Sequence, residues 1–388
     1  MFMNQLIPKN YLVASYPNRG ISFVEGSGMY LREKSGEKYL DLGSNYGVSI
    51  FGYVHPAITK ALTNQINSLV SLHGSFNNPL RSEAARELVA KCKGKMSRVF
   101  FSNSGAEAIE AALKFACLST GKQHFIALKN SYHGKTLGAL SATSGDKYRH
   151  AFEPLVWDFS HLSITDHQLL ASAVTENTAA FLLEPVQGEG GIHVFKEADM
   201  KFVQKLCDEK NILLIVDEIQ TGVGRTGKFL ASEHYGLQPD IICLGKGIAG
   251  GIPIGVTLVS EEIALKVPVH IHTSTFGGNP LASAGILAVL AEFENTSLLK
   301  HITEMGDYFL RELKTIKSNK IKEARGIGLM LALELYENAT STLKALQQNH
   351  IIAIPAGSNI VRFLPSYLIT KKEIDLLIAT LKRIFNYV

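Results

Sequence analysis

The 388-residue chain has little that ties it to a disulfide scaffold, a membrane or a nucleic acid. Its four cysteines, Cys92, Cys117, Cys207 and Cys243, stand far apart and form neither a CxxC pair nor a dense framework, so a reducing compartment is expected. No window approaches 18 uninterrupted apolar residues. The N-terminus lacks a charged region followed by an apolar stretch, because Lys9, Asn10, Asn18 and Arg19 break up everything before Ile21. A cytoplasmic protein without a membrane segment is the expectation. Charge of one sign is scarce as well: 39 Lys plus Arg face 35 Asp plus Glu, a net +4. The densest basic cluster, Lys91, Lys93 and Lys95, holds no aromatic residue on which a base would stack, so it reads as a solvated loop and no nucleic-acid partner is expected. Tandem repeats and low-complexity linkers are missing too.

What is present is 46% hydrophobic residues, enough for a large core. Residues 1 to about 50 read as extended, with Met29-Tyr30-Leu31 and Tyr39-Leu40-Asp41-Leu42 flanking a turn at Ser35-Gly36. Short apolar runs then alternate with helical segments: Val99 to Phe101, Phe125 to Leu128, Ala179 to Leu183, Ile212 to Val216, Ile241 to Leu244 and Ile254 to Val259. Continuous apolar strands separated by helices predict an α/β fold with a mostly parallel sheet covered on both faces. Near the C-terminus, Ile374, Leu377, Ile378, Leu381, Ile384 and Phe385 fall on one helical face. The expected division is an N-terminal segment 1–50 packing with a small domain, a large domain 51–275 and a smaller α+β domain 276–388.

Three places along this pattern carry chemistry. Ser102-Asn103-Ser104-Gly105-Ala106 links a strand to a helix running to about Thr120, and the free amides of a helix start attract an anion such as phosphate; an ordinary strand-to-helix turn is the plainer account of this loop taken alone. Asp217 and Glu218 end the most apolar strand, where open α/β sheets place ligands. Asp217 would bind a metal, act as a base or hold a protonated ring nitrogen, and without a histidine cluster in sequence no metal is expected; a strand-end cap competes for Glu218. Lys246, after Ile241 to Leu244 in a stretch poor in other charges, would be desolvated, and its amine thereby a nucleophile toward aldehydes. Gly222-Val223-Gly224-Arg225-Thr226-Gly227 matches GxGxxG, but Asp217 to Thr221 intervene after the strand and no long helix follows, so a mobile loop is expected in place of a dinucleotide site. Together the anion cup, strand-end Asp217 and strand-end Lys246 offer handles for phosphate, ring nitrogen and aldehyde, the three groups of pyridoxal 5'-phosphate.

At these residues the sequence resembles the class III, or ω-, aminotransferases. The resemblance runs from about Ile21 onward through Phe101 to Ala111, Tyr132-His133-Gly134, Glu184 to Gly191, Leu213 to Gly227, Pro239 to Gly255, Ser274 to Pro280 and Arg362 to Pro365. Within that group the likeness is to acetylornithine aminotransferases and archaeal-type relatives acting on ornithine or lysine linked to an acidic amino-group carrier protein. The resemblance implies a type I pyridoxal-phosphate transferase fold and a homodimer with shared active sites. Lys246 would bind the cofactor aldehyde and move protons, Asp217 would pair with the ring nitrogen, Gln220 would reach the ring hydroxyl, and Tyr132 would stack on the ring beside His133. The loop of Ser104, Gly105 and Ala106 would hold the phosphate with Thr275 of a second subunit, and Glu218 would adjoin the cofactor.

For substrates, the resemblance implies that Arg362 grips the α-carboxylate of glutamate and that Glu189 masks Arg362 when an ω-amino donor enters. Ser274 would border the substrate, and Lys135 would replace the arginine usual in the family for the distal carboxylate, a change that keeps charge but loses the planar fork. The implied reaction moves the ω-amino group of N-blocked ornithine or lysine to 2-oxoglutarate, in arginine or lysine biosynthesis. Other class III activities (ornithine, 4-aminobutyrate or β-alanine transamination, or an aminomutase) and, more remotely, a nicotinamide-dependent dehydrogenase are the alternatives. For an acidic carrier, the small positive charge would help steer encounter.

Overall fold

The computed structural model describes residues 11–386, so the first ten residues of the N-terminal segment lie outside it. Among the described residues the first strands are β1 (Phe23–Ser27), β2 (Tyr30–Glu33) and β3 (Lys38–Asp41), the last two forming the hairpin read from the turn at Ser35-Gly36. Next come β4 (Met96–Ser102), β5 (His124–Leu128), β6 (Asp158–Leu162) and β7 (Thr178–Leu183), followed by a two-stranded hairpin of β8 (Val186–Gln187) and β9 (His193–Val194). Strands β10 (Leu213–Asp217), β11 (Ile241–Leu244) and β12 (Gly255–Ser260) follow. The C-terminal part contributes β13 (Ile321–Ile327), β14 (Met330–Leu335), β15 (Ile351–Ile352), β16 (Ile354–Ala356) and β17 (Ile360–Phe363).

The large sheet has seven strands in the order β4-β12-β11-β10-β7-β5-β6. Its centre is buried because the strands carry apolar side chains on both faces: every residue of β5, β7 and β11 is buried. Helices supply the cover. Gly105–Thr120 lays Ile109, Ala112, Leu113 and Ala116 on one face, and Glu197–Lys210 lays Met200, Val203 and Leu206 on another. One strand departs from the parallel expectation: β12, the apolar run Ile254 to Val259, is antiparallel to both β11 and β4. Apolar runs report burial on both faces, not direction. Edge strand β6 escaped the sequence reading because Asp-Phe-Ser-His-Leu is only partly buried and mixes polar with apolar residues.

A second sheet, β13-β14-β17-β16, is packed by the helix Leu298–Lys314, against which Lys371–Asn386 lies. The N-terminal strands join the C-terminal part directly, since β3 pairs in parallel with β15. No helix of the described residues is long and apolar enough to cross a membrane.

The glycine loop 222–227 is not the mobile connector expected from its composition. Residues 222–226 are buried and Gly227 is half-buried, and Arg225 is 1% exposed, donating to the carbonyls of Leu329 and Pro365 while its guanidinium packs on the Tyr367 ring. The glycines let the backbone come close to its neighbours: Gly224 has φ +86°, and a Cβ there would lie 2.6 Å from the Phe293 ring.

Candidate active site

The parallel order of β7, β10 and β11 brings their carboxyl ends together, and a cavity of about 490 Å³ opens there. Asp217 is the last residue of β10 and is level with Cys243 of β11. Three residues beyond Cys243, Lys246 starts a single tight turn with φ +45°. The turn is close-packed, since a Cβ on Gly247 would lie 2.7 Å from Ile50. Asp217 and Lys246 therefore share the cavity floor because their strands are neighbours. Burial lowers the pKa of the Lys246 amine, while Asp217 and Glu189 oppose that shift and Arg362 adds to it. The charge-poor setting read from sequence is thus corrected: the neighbours in sequence are uncharged, but other elements bring carboxylates and a guanidinium to the site.

The opposite wall comes from the helix Gly105–Thr120 and the loop after β5. Ser104 caps the helix, its hydroxyl accepting from the Glu107 amide at 3.2 Å, and the first-turn amides of Gly105 and Ala106 border the cavity without an acceptor inside the helix. A side chain at 105 would displace Ile219, because a Cβ would lie 2.8 Å from it. Tyr132 lines the cavity, and burial, followed by the nearby Glu189, raises its hydroxyl to about 12. His133 is buried behind it, donating through Nδ1 to Asp217 Oδ2 at 2.8 Å, with the Ile219 amide on Asp217 Oδ1 at 3.0 Å.

On the C-terminal side, Arg362 from β17 is fully buried. It donates to Glu189 at 2.7 Å, to Gln220 Oε1 at 3.1 Å and to the Pro355 carbonyl at 3.0 Å. Glu189 and Gln220 both line the cavity, so the carboxylate and guanidinium named from sequence meet at its wall, with Arg362 behind Glu189.

Other expected residues stand elsewhere. Glu218 is buried outside the cavity, accepting from the amides of Ala231 and Ser232 at 3.0 and 2.7 Å and from Thr221. Its place next to Asp217 on a strand end turns it to the opposite side, so the capping account is the one that holds. Ser274 accepts from Asn103 Nδ2 at 3.1 Å and from the Gly277 amide, away from the cavity lining, and Thr275 is exposed. Lys135 is exposed at the mouth, 5.8 Å from the Tyr148 ring centre.

Two residues were missed. Glu184 directly follows β7 and accepts from the Tyr132 amide at 2.9 Å and the Gly188 amide at 3.0 Å; burial raises it to about 7, with Asp217 acting in the same direction and His133 opposing. The strand-end rule that selected Asp217 applies equally to Glu184. Tyr46 packs 5.5 Å from the Arg362 guanidinium in a left-handed run with Ser44 and Asn45, a backbone signal that composition does not carry.

The residues fit pyridoxal 5'-phosphate. A helix N-terminus suits a phosphate, a buried carboxylate suits a protonated ring nitrogen, and a desolvated amine suits an aldehyde. Among the described residues no group of three or more His, Cys, Asp or Glu is placed to hold a metal ion.

Comparison with known proteins places these features in context. Residues 12–385 match the family described as aminotransferase class-III. The chain is 42% identical over 380 residues to the acetylornithine aminotransferase of Aquifex aeolicus, covering 96% of this chain and 99% of that one. It is 39% identical to the LysW-aminoadipate semialdehyde transaminase of Deinococcus radiodurans, covering 98% of this chain and 89% of the relative. Among solved structures, the ornithine aminotransferase of Toxoplasma gondii, described with partial occupancy of PLP at its active site, is similar with a TM-score of 0.91 and 32% identity. That match covers 97% of this chain and 92% of that one.

Proposed function

The chain belongs to the class-III aminotransferases, with the type I fold of pyridoxal-phosphate transferases, and from that premise we propose that it moves the ω-amino group of N-blocked ornithine or lysine to 2-oxoglutarate. The observation that carries the substrate reading is the Arg362–Glu189 pair at 2.7 Å, whose carboxylate lines the same cavity as Lys246. Relatives at this level of identity are named acetylornithine aminotransferase or LysW-aminoadipate semialdehyde transaminase, which supports an N-blocked diamino acid, free or carrier-linked.

When bound, the cofactor supplies an electron sink for the carbanion formed at the amino-bearing carbon. Everything else comes from the chain. Lys246 would hold the cofactor aldehyde and would be the amine that takes up and returns the substrate's proton. Asp217, oriented by His133 and the Ile219 amide, would keep the ring nitrogen protonated. The amides of Gly105 and Ala106 would hold the phosphate, Tyr132 would stack on the ring, and Gln220 would bind its hydroxyl. With glutamate, the α-carboxylate takes the place of Glu189 on Arg362, a bidentate fit for a planar guanidinium. With an ω-amino donor no carboxylate reaches Arg362, and Glu189 stays on it, so a buried cation is never left bare.

Lys135 meets the distal carboxylate of the blocked donor. A homodimer, with Thr275 and Ser274 reaching the phosphate and substrate of the second copy, completes the site. In this reading residues 51–275 form the cofactor domain, and residues 1–50 pack with the small domain 276–388. Arginine or lysine biosynthesis in the cytoplasm is the setting.

A donor panel tests this. N-acetylornithine or carrier-linked lysine or ornithine should exceed free ornithine, 4-aminobutyrate and β-alanine in kcat/KM with 2-oxoglutarate as acceptor. Equal or better rates with 4-aminobutyrate or β-alanine would contradict it. If the donor is carrier-linked, its rate should fall steeply with salt, as steered encounter requires.

A further inference from the structure

The hairpin that carries Glu189 lies between two strands of the large sheet in sequence, yet it packs on the C-terminal sheet. Val186 and Ile192 share a buried cluster with Met330, Ala332, Ile360 and Leu364. At the hairpin's far end the backbone is unusual: Gly191 has φ +122° and Ile192 φ +57°. One side chain holds this turn. Arg325 on β13 donates from Nε and Nη2 to the Gly191 carbonyl at 3.0 and 2.7 Å, and from Nε to the Ile192 carbonyl at 3.2 Å.

Arg325 is itself fixed from behind. Its Nη1 pairs with Glu323 at 2.9 Å and with Glu334, and Glu334 also takes Lys322 at 2.7 Å. The near end of the hairpin is tied to the other side of the cavity, where Glu184 holds the Gly188 amide and Gln187 donates to the Lys129 carbonyl at 2.7 Å. Glu189 thus sits on a short span with both ends anchored, and Arg325 is the anchor on the side of Arg362. Arg325 does not line the cavity.

We propose that Arg325 is a positioning residue for the carboxylate gate: by fixing Gly191 and Ile192 it holds Glu189 on Arg362, and so sets the balance between donors that need Arg362 masked and donors whose own carboxylate must replace Glu189 on it. This rests on the gate described under the proposed function. A guanidinium suits the task because its rigid fork reaches two carbonyls and two carboxylates at once, whereas an ammonium offers a point charge. With the anchor loosened, Glu189 occupies Arg362 for less of the time. Glutamate then meets a freer guanidinium, and the ω-amino donor loses the mask that keeps it in one orientation.

The test uses cofactor-loaded Arg325→Lys and Arg325→Gln, with Glu189→Gln as reference. Each half-reaction is followed by single-turnover absorbance, and amide hydrogen exchange is followed over residues 188–193. In both Arg325 variants the ratio of kcat/KM for glutamate to that for the ω-amino donor should rise about fivefold or more, and the hairpin amides should exchange faster. Glu189→Gln should move the ratio in the same direction. A parallel loss with both donors, or unchanged exchange, overturns the anchor, since a purely structural arginine would leave the ratio alone. If Glu189→Gln shifts the ratio and the Arg325 variants do not, the anchor alone fails; if Glu189→Gln leaves it unmoved, the gate fails and the anchor with it. Should Arg325→Gln not fold, Arg325→Lys, which keeps the charge beside Glu334, decides.

Discussion

His133 donates through Nδ1 to Asp217 Oδ2 at 2.8 Å, and both side chains are buried, at 2% and 4% exposure. The histidine is therefore the fixed partner that aims the strand-end carboxylate into the cavity, with the Ile219 amide on its other oxygen. The two residues lie 84 positions apart, and only the adjacency of β5, β7 and β10 brings them together.

Replacing His133 with Ala should leave the buried carboxylate half-satisfied, at a cost of about 1–3 kcal/mol. The expected outcome is roughly 5- to 150-fold weaker retention of pyridoxal 5'-phosphate, read by titrating the cofactor-free protein and following visible absorbance. Unchanged retention would show that Asp217 is oriented without it.

Arg362→Lys should raise KM for glutamate about 10-fold or more, with a smaller change in kcat, because the bidentate fork is lost while the charge remains. Steady-state kinetics with varied glutamate measure it. An equal rise in KM for the ω-amino donor would count against separate handling of the two substrates.

Glu184 gives a pH signature. Burial raises its pKa from 4.5 to about 7, so the folded protein binds more protons than the unfolded chain between those values, and stability falls as pH rises through that window. The full effect is about 3 kcal/mol. Glu184→Gln should remove it, so urea midpoints compared at pH 5 and pH 7.5 should drop less in the variant than in the wild type. Parallel drops would place the titration elsewhere.

Gly224→Ala combines a left-handed φ of +86° with a Cβ 2.6 Å from the Phe293 ring. A loss of about 1–3 kcal/mol is expected from the backbone alone. Thermal unfolding should report it, and turnover per folded molecule should stay near that of the wild type. A melting temperature equal to the wild type would mean that the loop yields easily after all.

Much of this arrangement was legible in the sequence. Apolar runs located six strands of the large sheet, because burial on both faces leaves an unbroken hydrophobic signature, and strand-end position singled out Asp217 and Lys246. The resemblance to a family named Arg362 and Glu189, which the structure brings within 2.7 Å. What stayed hidden depends on three-dimensional neighbours. The direction of β12 leaves no mark on composition, and the polar edge strand β6 lacks a hydrophobic one. The buried state of the 222–227 loop comes from Phe293, Thr303 and the carbonyls that receive Arg225, all remote in sequence. Likewise Glu218 reads like Asp217 until the amides of Ala231 and Ser232 are seen to claim it.

The central claim is that Lys246, on the cavity floor beside Asp217, performs the amino transfer. The most direct measurement is the visible absorbance of the purified protein mixed with glutamate in a single turnover, wild type against Lys246→Ala. The wild type should carry a cofactor band that shifts with glutamate, and the variant should lose the shift, with turnover to 2-oxoglutarate reduced by roughly 10² to 10⁴. A variant that keeps the wild-type band, its shift and its turnover would contradict the account.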